Sequence, residues 1–404
     1  MLSVDEALAA ILAEAASPSV ERALIEAALG RVAATDILAT MDQPPFRAAA
    51  MDGYAVRFAD ATIGARLRLI GEAPAGAPFD RAVGAGEAVR IFTGGAVPAG
   101  ADHVLIQEEA EADGDEVAIT AKQSAPSHVR AAGVDFRAQS ILKRKGERLT
   151  PIDLGLIASA NIAEIDVFAR PVVAYIDNGD ELREPGAALR HGEIVGSNRF
   201  AMDALIAAWG GAPQYLGRAL DDPDSIREKF DAAKGADIFV TIGGASVGEH
   251  DHVRAAFAAA GGALIFSKIA VRPGKPTWFG RLGGVRVLGL PGNPASAIVC
   301  ALLFLRPLIA ASGGEVAPTR YVRANLSESL AANGPRESYL RGAISVDPSG
   351  LLRVAPFANQ DSSLYSPLVH GNCLIRRMPQ APSAPIGALV DCLVYRSPFG
   401  RSAA

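Results

Sequence analysis

"ADIFVTIGGASVGEHDHVRAAFAAAGG", residues 236–262, decides the fold class of this chain. Ile238-Phe239-Val240-Thr241-Ile242 is a short apolar run, the pattern of a strand buried on both faces. It stops at Gly243-Gly244, and "DHVRAAFAAAGG" then reads as a helix ended by two glycines. A buried strand that passes into a helix through a glycine loop is the repeating unit of a parallel, doubly wound sheet.

The same alternation extends on both sides. Upstream lie a strand, "VVAYI", and a helix, "SNRFAMDALIAAWGG", with Ser197 or Asn198 as N-cap and Gly210-Gly211 as stop. A second helix, "DDPDSIREKFDAAKG", has Asp222 as N-cap and Pro223 at its first position. Downstream come strands "ALIFSKIAV" and "VRVLGL", then a buried helix, "AIVCALLFL", bounded by Pro294 and Arg306-Pro307. The N-terminus opens with a helix whose Ser3 and Glu6 have capping-box spacing, and a second helix is expected over about 19–29, ended by Gly30. From about 40 to 135, and again from about 318, short apolar stretches separated by Gly/Pro turns read as β-structure.

At 404 residues the chain exceeds a single core. Half the residues are hydrophobic and 21% are charged, ordinary for a globular protein, and the net charge of −5 gives no basic surface for nucleic acid. No apolar run reaches membrane-span length, and no signal peptide opens the chain, so no membrane is expected and the location expected is cytoplasmic. Three separated cysteines argue against both a disulfide framework and a CxxC zinc site.

In an open α/β sheet, ligands sit beyond the carboxyl ends of the strands. Three loops fall on that rim: Gly179-Asp180-Glu181, Gly243-Gly244 and Pro291-Gly292-Asn293-Pro294. Gly243 and Gly248 have P-loop spacing, but Glu249-His250 stand where Lys-Ser/Thr would reach phosphate. What remains is either a tight turn packed on its neighbour or a loop whose bare backbone and Ser246 hydroxyl can approach an anion. Asp251 and further carboxylates suit a hard cation better than zinc. Lys268, Arg272 and Lys275, within eight residues, could each be a solubilising charge on a surface strand, but together on an otherwise acidic chain they read as a local oxyanion site. Carboxylates and cations together suggest a phosphoanhydride bridged by Mg²⁺.

The motifs "MDGYAV" (51–56), "RIFTGGAVPAGADHVLIQEE" (90–109), "GDEL" (179–182), "SNR" (197–199), "TIGGASVGEHD" (241–251), "RPGKP" (272–276) and "LPGNPAS" (290–296) resemble the molybdopterin molybdotransferase family, the bacterial counterpart of the gephyrin E domain. The resemblance implies an elongated helical/β domain from two segments (1–42 and 138–170) and an inserted β-rich domain (43–137). An α/β molybdopterin-binding domain (171–316) and a C-terminal β-barrel (317–404) follow. It implies insertion of molybdate into the dithiolene of adenylylated molybdopterin with release of AMP, a divalent cation such as Mg²⁺, and a homodimer with a shared cleft. Acceptor molybdoenzymes are the implied downstream partners.

It also implies roles. Asp251, Glu181 and Asp180 handle the cation and the phosphoanhydride. Lys268, Arg272 and Lys275 hold phosphate and oxyanion, while Gly243, Gly244, Ser246, Pro291, Gly292, Asn293 and Ser296 shape the cleft. Asp52, Thr93 and Asp135 reach in from the partner chain, and Arg341 and Ser362 resemble the molybdate-contacting pair. The chain departs from the family pattern at Ala48-Ala49-Ala50, Val134, Asp177-Asn178 and Gly196. Other readings are a tungstate-inserting paralogue, a phosphohydrolase using the same rim, and a non-catalytic molybdopterin-binding scaffold.

Overall fold

The computed structural model describes residues 1–244, 252–316 and 321–397. Its centre is a six-stranded sheet. In chain order its strands are β1 (Val172–Asn178), β2 (Ala212–Ala219), β3 (Ile238–Ile242), β4 (Ala263–Phe266), β5 (Trp278–Leu282) and β6 (Val285–Leu290). The spatial order is β2-β1-β3-β6-β5-β4. The first four strands in that order are parallel, as expected. β5 pairs antiparallel with both β6 and β4, which the strand–helix alternation does not predict. The cause is Gly283-Gly284, a two-residue turn with Gly283 at φ +58° that folds β5 back on β6 as a hairpin.

The expected strand "ALIFSKIAV" is likewise two pieces. Ala263–Phe266 stays in the central sheet, whereas Val271–Arg272 leaves it and pairs with Glu337–Val346. This crossover puts Arg272 between the α/β layer and the C-terminal sheet.

Side chains of β1 alternate between the two faces, as the strand period requires. Val173 and Tyr175 face a core that also holds α1 (Val4–Ala13), α3 (Asn198–Ala208) and α6 (Pro294–Ser312). Ala174 and Ile176 face the other core, with α4 (Pro223–Ala232) and α5 (His252–Ala259). α2 (Pro151–Ser159) lies in the N-terminal region and is capped by Thr150. The capping box at Ser3 and Glu6 is formed, and Asp222 accepts from the amides of Asp224 and Ser225.

Pro307 does not end α6. Residues Ala301–Leu305 form a π-helical stretch directly before it, and the helix runs on to Ser312. Proline lacks an N–H and crowds the carbonyl four residues back, and a widened turn accommodates both. The resulting 19 residues are long and apolar enough to cross a membrane, yet 78% of that window is buried inside the protein.

The helix expected over 19–29 is a strand, Val20–Leu24, followed by a short 3₁₀ turn. The strand pairs antiparallel with Glu164–Phe168, and Arg22 bridges Glu164 at 3.2 Å and Asp166 at 3.1 Å. Cross-strand partners 142 and 144 residues away outweigh local helix preference here. The β-rich stretch forms a six-stranded sheet that includes Gly53–Val56 and Glu87–Ile91. At the C-terminus, five strands (Tyr321–Leu326, Glu337–Val346, Leu352–Pro356, Cys373–Arg377 and Leu389–Val394) close into a barrel.

Candidate active site

The carboxyl ends of β1, β3 and β6 open into a cleft of about 1370 Å³ whose other wall is the C-terminal barrel. Three rim loops meet because they lack side chains. Gly243 has φ +93°, and a Cβ there would stand 2.6 Å from the carbonyl oxygen of Asn178. A Cβ on Gly292 would stand 3.3 Å from the Gly243 Cα. The glycine pair is therefore a close-packed turn first, and its position lets backbone form the cleft floor.

The barrel is latched onto this rim. Asn293 Nδ2 donates to Ser362 Oγ at 3.0 Å, and Ala295 N–H donates to the Ser362 carbonyl at 2.9 Å. Tyr365 Oη donates to Asn198 Oδ1 at 2.8 Å, while Asn198 Nδ2 donates to the Gly292 carbonyl at 2.7 Å. Asn198 and Tyr365 were not singled out as site residues from sequence, though "SNR" had marked the former.

Arg272, Lys275 and Arg341 all line the cleft. Arg341 is 1% exposed; its Nη2 donates to the Asp361 carbonyl at 3.0 Å, and its Nε has no partner. Gln360 clamps its backbone from both sides, accepting from the amide and donating to the carbonyl, each at 2.9 Å. Burial pulls the guanidinium below its usual range, and Asp361 partly offsets this. Arg341 thus sets a buried guanidinium in the same cleft lining as Arg272 and Lys275, positive charge of the kind that attracts oxyanions. Arg336, missed from sequence, lines the same wall.

The acidic end is built on β1. Asn178 donates to Asp221, whose backbone N–H donates to Asp180 Oδ1 at 3.2 Å. Glu181 lines the cleft, and its carboxylate folds over Gly179, where a Cβ would overlap it. Asp177 also lines the cleft. It is 3% exposed, and burial raises its carboxyl to about 6.

Gly243, Gly244, Pro291, Gly292, Asn293, Ser296 and Ser362 complete the set that the structure brings together. Asp180 and Lys268 are not in the cleft's lining; Asp180 stands between the lining residues Gly179 and Glu181, and Lys268 precedes Ile269, whose amide donates to the Lys275 carbonyl at 3.1 Å. Asp52, Thr93 and Asp135 lie elsewhere in this single chain. Asp52 Oδ1 accepts from the Thr93 amide at 2.7 Å and hydroxyl at 2.8 Å, which holds its carboxyl below the usual range. Asp135 is exposed next to Val134, which is 63% exposed. Ser246 and Asp251 fall outside the described residues. Among the described residues no three His, Cys, Asp or Glu side chains converge on a metal position.

Comparison with known proteins bears on this cleft. Residues 2–161 match the model of the MoeA N-terminal region (domain I and II). Residues 174–311 match a probable molybdopterin binding domain, and residues 323–395 the MoeA C-terminal region (domain IV). A molybdopterin molybdenumtransferase of Haemophilus influenzae is 34% identical over 93% of this chain and 94% of its own length. The chain belongs to the molybdopterin molybdenumtransferase family. A family member from Nostoc is 33% identical over 79% of the chain and 76% of its own length. A solved structure of a molybdopterin biosynthesis MoeA protein from Pyrococcus horikoshii superposes with a TM-score of 0.82. It has 27% identity and covers 98% of this chain and 100% of its own. The family spans both walls of the cleft, the molybdopterin-binding region and the C-terminal region.

Proposed function

We propose that this chain is a molybdopterin molybdenumtransferase that inserts molybdate into the dithiolene of adenylylated molybdopterin and releases AMP. The observation that carries this is one cleft, within the family architecture, holding an oxyanion receptor at one wall and carboxylates at the other. Arg341 and the Ser362 hydroxyl, both in the cleft lining, are suited to orient a tetrahedral dianion. Arg272 and Lys275 add positive charge for the phosphoanhydride and the oxyanion. Lys268, outside the lining, would add charge at longer range.

Mg²⁺ binds through one or two carboxylates, water and substrate phosphate more often than through a full protein cage. Glu181 at the cleft with Asp180 beside it fits that sparse arrangement, and Asp251 is the third carboxylate of the proposed set. The ion would supply Lewis-acid stabilisation of charge on the phosphoanhydride. The positions of half-buried Asp52 and exposed Asp135, outside the lining of their own chain's cleft, support a homodimer in which they serve the partner's cleft. A cytoplasmic location and hand-over to acceptor molybdoenzymes complete the reading.

The test is AMP release from adenylylated molybdopterin by the purified protein with Mg²⁺, with and without molybdate. Release that requires molybdate is expected. Equal release without any oxyanion would instead indicate a phosphohydrolase, and tungstate in place of molybdate identifies a tungstate inserter.

A further inference from the structure

Asp177 is the one carboxylate of the cleft wall that is nearly buried, at 3% exposed, and to which no hydrogen bond is made among the described residues. A carboxylate in that state is expensive to maintain, since buried charge is ordinarily paired. Its surroundings explain why it stays unpaired. Arg199, the nearest cation by its electrostatic effect, is committed to Glu184 at 2.5 Å and stacks over Phe200 and Tyr215. On the cleft side stands Gly196, whose missing side chain would begin 3.9 Å from Asp177 Oδ2. Leu182, Ile194 and Val195 flank the same part of the lining, an apolar surface of the kind that accepts an aromatic ring. The oxygens of Asp177 are not among the fully sealed unpartnered atoms, so they are reached from the cleft. Among the described residues the Lys and Arg side chains of the lining, Arg272, Lys275, Arg336 and Arg341, belong to the turn and the barrel.

We infer that Asp177 is a specificity-determining residue that receives the paired N–H donors of an amino-oxo-pyrimidine ring, the 2-amino and N3–H edge of a pterin, seated against Leu182, Ile194 and Val195. The inference rests on the proposed substrate and assigns its orientation: heterocycle at Asp177, anionic groups at Arg272, Lys275 and Arg341. A fork of two N–H groups on one carboxylate is short and charge-assisted, and a site built for it rejects an analogue that lacks one donor.

The test compares wild-type protein, Asp177→Asn and Asp177→Ser in fluorescence titrations near pH 7 with two probes. One is pterin; the other is lumazine, in which a carbonyl replaces the 2-amino group. Wild type is expected to bind pterin about tenfold or more tightly than lumazine. Either variant that melts cooperatively is expected to lose about tenfold in pterin affinity and most of the preference, with lumazine changed less than about twofold. A folded variant that keeps wild-type pterin affinity overturns the assignment, as does a wild type with no preference. Molybdate-dependent AMP release by wild type reports separately on the proposed reaction. Release without ring preference removes only Asp177's role, and ring preference without release removes only the reaction.

Discussion

Two charged side chains of the cleft lining, Asp177 and Arg341, are buried in ways that cost stability. Asp177 titrates near 6, raised first by burial, then lowered by Arg199 and raised by Glu184; Tyr215 and Tyr365 complete its surroundings. A carboxyl whose folded value exceeds its unfolded value near 3.9 destabilises the fold as pH climbs through that window. Asp177→Asn should therefore melt higher than wild type above pH 6, by up to about 3 kcal/mol of stability, with the difference gone near pH 4. Differential melts at the two pH values check this; a variant that is less stable at pH 8 contradicts it. Arg341 and its neighbours make the opposite contribution, a site where anions are attracted. Lys275→Ala should weaken molybdate binding by several-fold at low ionic strength, and the gap to wild type should narrow as salt screens the lost charge. Equilibrium binding at two salt concentrations measures it, and a salt-independent gap would indicate a packing role.

At the scale of elements, the turn carrying Arg272 and Lys275 is positioned from behind by α6. Gly274 has φ +113°, and a Cβ there would overlap the Cys300 Sγ. Thr277 Oγ1 donates to the Gly274 carbonyl at 2.8 Å and to Cys300 Sγ at 3.2 Å. Gly274→Ala should thus displace the turn, with about tenfold loss in oxyanion affinity, and adding Cys300→Ala should restore part of it. Strain at the positive φ, worth about 1–3 kcal/mol, would persist in the double variant. Binding assays on all four combinations give the coupling, and strict additivity would rule out the contact. This turn also shows what was legible in the sequence. Cations, Gly and Pro within eight residues marked a site, and strand–helix alternation marked the sheet around it. The hairpin of β5 on β6 is not legible in the strand–helix alternation, because it rests on the two-residue turn Gly283-Gly284 alone. The strand Val20–Leu24 was missed because its partner, Glu164–Phe168, is distant in sequence and local preference carries no trace of it. Asn198 and Tyr365 act through the latch between two layers, a relation that only the fold creates.

At the scale of the whole molecule, one chain holds two separated sets of charged and polar groups: Glu181 with the cleft cations, and Asp52 with Thr93. If Asp52 serves the partner's cleft, an Asp52→Ala homodimer and a Glu181→Gln homodimer each carry a defect in both sites. In a mixed dimer the twofold operator puts both defects in one cleft and leaves the other intact. Random pairing should then recover about a quarter of wild-type site activity, since half the dimers are mixed and each has one intact site of two. Isolation of mixed dimers with two affinity tags makes the measurement, and mixed dimers no more active than either parent would assign both residues to one chain's cleft. The central claim is that oxyanion capture and anhydride cleavage are coupled in this cleft. Its most direct measurement is a single turnover with adenylylated molybdopterin, Mg²⁺ and molybdate, counting AMP released and molybdenum retained in the cofactor. One molybdenum per AMP is expected for wild type, with both lost together in Arg341→Met; AMP released in excess of molybdenum inserted, or undiminished in that variant, would contradict the coupling.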